Sequence, residues 1–131
     1  MTVQQLEDNK VEALVAELEH LIPPRQTPLD VYWRVGDAID RSGLKYGEKT
    51  IRQLAGKVPW SHAMLYACLL FRRLWPTEED LDRVTALGLT FGHVRVLSSG
   101  LLTAGERREL EQAIHDQRLT VNGLKAAVTA E

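Results

Sequence analysis

The stretch that decides the fold is Thr50-Ile-Arg-Gln-Leu-Ala-Gly-Lys-Val-Pro-Trp-Ser-His-Ala-Met-Leu-Tyr-Ala-Cys-Leu69. It reads as two short helices around a tight turn, at the spacing of a helix-turn-helix. Ala55 falls where the first helix must be small for the second to cross it, Leu54, Leu65 and Cys68 fall at core positions, and Ser61 can cap the second helix. In such a unit the exposed start of the second helix enters the major groove, which puts Ser61, His62, Ala63 and Tyr66 nearest the bases. Lys45, Lys49, Arg52 and Lys57 before it, and Arg72 and Arg73 at its far end, are the candidates for phosphate contacts. Against this, Pro59 and Trp60 occupy a turn where glycine is usual, and Ala63 to Phe71 is apolar around most of the circumference, as in a buried central helix.

Outward from this stretch, hydrophobic periodicity gives helix after helix and no alternating strand, so the expected class is all-α, a multi-helix domain containing a helix-turn-helix. Helices are expected near 2–22, 28–42, 48–57, 61–75, 77–87, 91–99, 103–117 and 120–130. Thr2, Thr27, Thr77, Thr90, Thr103 and Thr120 are the candidate caps, with Asp80 and Glu106 completing capping boxes. The first helix carries Val11, Leu14, Leu18 and Leu21 on a narrow stripe flanked by Glu7, Glu12, Glu17 and Glu19, which resembles a coiled-coil seam. With a hinge at Pro23 to Pro28, residues 1–24 are expected to form an oligomerisation arm giving a homodimer, and residues 28–131 the helix-turn-helix domain. The alternative is that the same stripe folds back onto its own domain.

At 131 residues, 44% apolar and 26% charged, the chain has the balance of one ordinary globular domain rather than of a disordered one. It lacks both the roughly 18 consecutive apolar residues of a membrane helix and a signal-peptide start, so no membrane association and a cytoplasmic location are expected. Charge is unevenly spread: residues 1–40 hold 3 basic and 8 acidic side chains, residues 41–75 hold 7 basic and 1 acidic, and residues 76–131 hold 6 and 9. A central cationic island suits a phosphate-binding surface, and a solvated basic face has the same composition. Clustered on one face it favours DNA; dispersed it favours a protein partner.

No catalytic, metal or cofactor site is expected. His20, His62, His93 and His115 lack ligand spacing and Cys68 stands alone. His93, at the third position of a helix, suits a structural role in cap or core, and Glu78-Glu79-Asp80 suits the start of a helix. Gly36, Gly43 and Gly47 form no phosphate-cradling loop.

Tyr32-Trp33-Arg34-Val35-Gly36, Tyr46-Gly47 with Ile51 and Leu54, Ser61 with Leu65, Tyr66 and Phe71, Leu89-Thr90-Phe91-Gly92-His93, and Leu119-Thr120-Val121 together resemble the N-terminal domain of YhcG-type proteins. In that family a helix-turn-helix module commonly precedes a nuclease domain. The later segments also resemble the helix-turn-helix domain of ParB-like partition proteins. Both resemblances imply duplex DNA as partner, and the first adds a nuclease or other protein partner. The chain departs from the family by carrying His62, Ala63, Ala67 and Leu69 where arginines are common, and 131 residues leave no room for a nuclease domain, so no enzymatic activity is carried over. The function expected is non-catalytic DNA binding through the helix-turn-helix and the basic patch, as a regulator or as the recognition part of a nuclease system, with a helical protein-interaction or assembly module without DNA binding as the alternative.

Overall fold

Threonine hydroxyls set most of the helix starts. Thr2, Thr77, Thr90 and Thr103 each accept the backbone N–H three residues on, and the side chains of Gln5, Asp80, His93 and Glu106 reach back to the cap N–H. Thr120 Oγ1 accepts from Gly123 N at 3.0 Å. The computed structural model describes residues 2–23, 27–42, 48–99 and 101–130, and these form α1 (Val3–Leu21), α2 (Leu29–Arg41), α3 (Glu48–Ala55), α4 (His62–Leu74), α5 (Glu78–Ala86), α6 (Phe91–Leu97), α7 (Ala104–Gln117) and α8 (Val121–Ala130). No strand occurs among the described residues, and no helix among them is long and apolar enough to cross a membrane. One cap differs from expectation: α2 starts with Pro28 at the cap position and no side-chain cap hydrogen bond, so Thr27 lies one residue further out. Proline there fixes φ near the value a helix needs and removes an N–H that would otherwise be unsatisfied.

The chain divides into two compact units, Met1–Arg73 and Leu74–Glu131. This boundary differs from the one expected at residues 24–28, because α1 belongs with the helices that follow it. Its stripe packs on α2 and is covered by its own unit: Val11, Leu14 and Leu18 are 3%, 2% and 0% exposed, and Leu21 is half-buried. These four residues were the expected oligomer seam. The correction has a simple cause, since a narrow apolar stripe gains as much by covering α2 as by covering a second chain, and it does so without the entropy of association.

In the first unit Trp33, Val35, Ala38 and Ile39 of α2, Ile51 and Leu54 of α3, and Leu65, Cys68, Leu69 and Phe71 of α4 complete the core. Helices α2 and α4 approach backbone to backbone. A Cβ at Gly36 would stand 2.0 Å from the Cys68 carbonyl oxygen, far inside van der Waals contact. In the second unit the core is Trp75, Leu81, Val84, Leu89, Phe91, Val94, Leu97, Leu110, Ile114 and Leu124. There α5 ends in a Schellman turn, with Gly88 at φ 81° and Leu89 N–H donating to the Val84 carbonyl at 3.2 Å.

The two glycines therefore make different demands. Gly88→Ala meets no atom within 4 Å and should cost about 1–2 kcal/mol, the strain of a left-handed alanine. Gly36→Ala must push two helix backbones apart and should cost more than 3 kcal/mol, at or beyond the top of the usual overpacking range. Thermal unfolding of both variants checks the order, and equal losses would contradict the close crossing. Deleting residues 1–24 should expose the apolar face of α2 and abolish cooperative unfolding of the first unit, as read by circular dichroism; a stably folded product would restore the independent arm.

Candidate functional site

The connection between α3 and α4 is built by local bonds. Gly56 N–H donates to Arg52 O at 3.2 Å, and Lys57 and Val58 N–H donate to Leu54 O at 2.9 and 3.2 Å, so α3 unwinds through one tightened turn. Val58 is buried, and Trp60 stacks on Tyr32 of α2 with ring centroids 5.3 Å apart and planes 20° apart. That stack gives Trp60 a purpose in a turn where glycine is usual: the indole fixes the entry to α4 on α2. Ser61 then caps α4, its Oγ accepting from Met64 N at 3.2 Å, as its position in the sequence suggested.

Although apolar in composition, α4 has an outer face. Leu65, Cys68, Leu69 and Phe71 are buried, whereas Ser61, His62, Ala63, Tyr66 and Arg73 are exposed, Tyr66 to 49%. All four residues expected to face bases thus lie together on the open side of the helix start. Of the expected phosphate contacts, Arg52 and Lys57 are exposed beside them in sequence, on α3 and in the connection. Lys45 and the side chain of Lys49 lie outside the described residues.

Arg72 and Arg73 are placed otherwise. Arg72 Nε donates to Asp37 Oδ1 at 2.8 Å, and its guanidinium lies 5.3 Å from the Trp33 ring centroid. Arg73 Nε stands 3.7 Å from Asp40 Oδ1. Asp37 Oδ2 also accepts from Arg41 Nε at 2.8 Å, and Arg41 Nη2 donates to Glu17 Oε1 of α1 at 2.9 Å. Arg72 and Arg73, expected to grip phosphate, instead tie α4 to α2, and Arg41 ties α2 to α1. The contacts advance in the same order along both helices, Tyr32 to Trp60, Gly36 to Cys68, Asp37 to Arg72 and Asp40 to Arg73. Burial alone would raise the Asp37 pKa, but hydrogen bonds from Arg72 and Arg41, with the charges of both, outweigh it and hold the carboxyl below the ordinary aspartate range.

Within the cationic island, Arg72 and Arg73 at the far end of α4 meet acids of α2, and Arg52 and Lys57 are exposed around the α3–α4 connection. A count by segments concealed this, because the acids that neutralise Arg72 and Arg73 stand about 35 residues earlier. Asp37 with Arg41, at i and i+4, is by contrast a pair that local spacing reveals.

Among its described residues the second unit holds two buried polar side chains, Glu111 and His93. Glu111, 2% exposed, accepts from Arg83 Nε at 3.0 Å and Trp75 Nε1 at 3.4 Å. Its sign in the sequence is its register, next to Leu110 and three residues before Ile114 on the buried side of α7. His93 accepts the Thr90 N–H at Nδ1, 3.0 Å, which leaves its proton on Nε2 to donate to Leu119 O at 2.8 Å. The imidazole so joins the cap of α6 to the start of α8, the structural role its position suggested. Among the described residues no three His, Cys, Asp or Glu side chains are grouped to hold a metal ion. No family model, curated protein or solved structure matches the chain.

A carboxylate with a lowered folded pKa stabilises the fold above its unfolded value and loses that contribution as pH falls through the folded value. Asp37→Asn should therefore cost about 1–3 kcal/mol at pH 7, and the gap to the parent should close below about pH 4. Urea unfolding at pH 7 and pH 3 checks this. A gap independent of pH would show that Asp37 does not act through its charge.

Proposed function

We propose that the chain is a non-catalytic duplex-DNA-binding protein in which α3 and α4 act as a helix-turn-helix, the start of α4 entering the major groove. The observation that carries this reading is the common exposure of Ser61, His62, Ala63 and Tyr66 on one side of a helix whose other side is core. No acidic residue stands in the first turn of α4, so the partial positive charge of the helix start is not cancelled there. The resemblance to YhcG-type and ParB-like domains points the same way.

Reading would be sparse. Serine, histidine and tyrosine can each hydrogen-bond a base edge and alanine can meet a thymine methyl, but no arginine is present to make a bidentate contact to guanine. Affinity then rests on phosphates, and with Arg72 and Arg73 held by Asp37 and Asp40 the candidates per chain fall to Arg52, Lys57, Lys45 and Lys49. A homodimer would double this number on a two-fold site. Its interface would lie away from Val11, Leu14 and Leu18, which are buried within the chain. In a nuclease system such a protein would serve as the recognition part, and otherwise as a regulator.

Fluorescence anisotropy with genomic and random duplexes tests the proposal. Binding should weaken with salt at a log–log slope of about −2 to −4 per chain, from roughly −0.9 per phosphate neutralised. Substituting Arg52 and Lys57 by alanine should weaken binding to all duplexes alike, whereas His62→Ala or Tyr66→Ala should change the ratio between sequences more than the mean affinity. Absence of binding at about 50 mM salt would reject DNA as the partner and favour a helical protein-interaction module, for which the neutralised end of α4 is the supporting observation.

A further inference from the structure

We propose that the open groove between α6 and α8 is a docking site for an acidic amphipathic helix of a partner protein, a role independent of DNA binding. The groove encloses about 640 Å³ on the surface of the second unit. Its apolar lining is Val96, Val121 and Val128, each half-buried, and its charged lining is Arg95 and Lys125, both exposed. None of the residues that line it is acidic.

Two observations select the occupant. The first is charge. Residues 76–131 carry 9 acidic against 6 basic side chains, yet the groove lining holds two cations and no acid. Whereas Arg83 elsewhere in the unit is met by Asp80 and Glu111, Arg95 and Lys125 have no ion-pair partner among the described residues, and the groove lining offers them no carboxylate. An approaching segment with carboxylates would supply both.

The second is shape. Val121, Lys125 and Val128 fall at i, i+4 and i+7 of α8, and Arg95, Val96 and Ser99 lie within four residues on and just beyond α6. The α8 row alone spans about two helical turns, or roughly 10 Å, the length over which a helical ligand presents two or three anchors. An apolar floor between two cations suits apolar side chains on one face of that ligand and carboxylates at its edges. A duplex backbone would use the cations and leave the valines uncovered. A second copy of α1 is a poorer occupant, because its stripe is already buried on α2.

The test is selection from a displayed library of helical peptides, random in charge on one face and in apolar residues on the other, against the full chain and against an Arg95→Glu/Lys125→Glu variant. Both substitutions are at exposed positions, and circular dichroism should match the parent. The parent should enrich acidic peptides and the variant basic ones. In anisotropy the selected acidic peptide should lose about tenfold in affinity on the double variant, the sum of two exposed charge pairs. It should lose as much on Val128→Glu, which keeps both cations but places a like charge on the floor. Enrichment of no peptide, enrichment of the same peptides by both proteins, or a double variant that loses duplex DNA instead of peptide would each overturn the assignment. Concentration-dependent self-association that vanishes in the double variant would also overturn it, in favour of a second copy.

Discussion

The backbone contact between Gly36 of α2 and Cys68 of α4 governs the first unit. With 2.0 Å between a notional Cβ and the Cys68 carbonyl oxygen, only glycine lets the two helices reach this separation. The contact also sets the rotation of α4. With Cys68 turned toward α2, Leu65 and Leu69 go to the core on the same side, and His62, Ala63 and Tyr66 are left to solvent. Asp37 follows Gly36 and Arg72 lies one turn after Cys68, so their 2.8 Å ion pair is a direct consequence of the same crossing. The Tyr32–Trp60 stack closes the other end. A single steric requirement thus fixes which side of α4 is available to a partner.

The electrostatics follow from that geometry. Asp37 and Asp40 draw the arginines at the end of α4 into the body of the unit, while Arg41 carries the network on to Glu17. The exposed basic side chains Arg52 and Lys57 lie at the α3–α4 connection. The far end of α4 is thus paired with acids of α2, while no acid stands in the first turn at its start.

Helix limits, and the caps other than that of α2, were legible because their signals are local. A threonine hydroxyl and a residue three positions on act within one turn, and every observed helix end falls within two residues of expectation. The apolar stripe of α1 was equally legible, but the surface it covers was not, since a stripe has the same pattern on its own domain as on a second chain. Composition alone made α4 look buried all round; Tyr66 and Ala63 escape because α2 occupies only one side. The partners of Arg72 and Arg73 were hidden by distance along the chain, and so was the use of Trp60. Glu111 could have been suspected from its register, as could its need for a cation such as Arg83.

On the proposed reading, the start of α4 faces DNA and its far end is a structural clamp. Amide and guanidinium NMR shifts recorded while a duplex is titrated into the labelled protein test this most directly. Shifts should concentrate at Ser61 to Tyr66 and around Arg52 and Lys57, with the Arg72 Nε resonance still reporting its bond to Asp37. Shifts centred on Arg72 and Arg73, with the Asp37 bond lost and the α4 start unmoved, would contradict it.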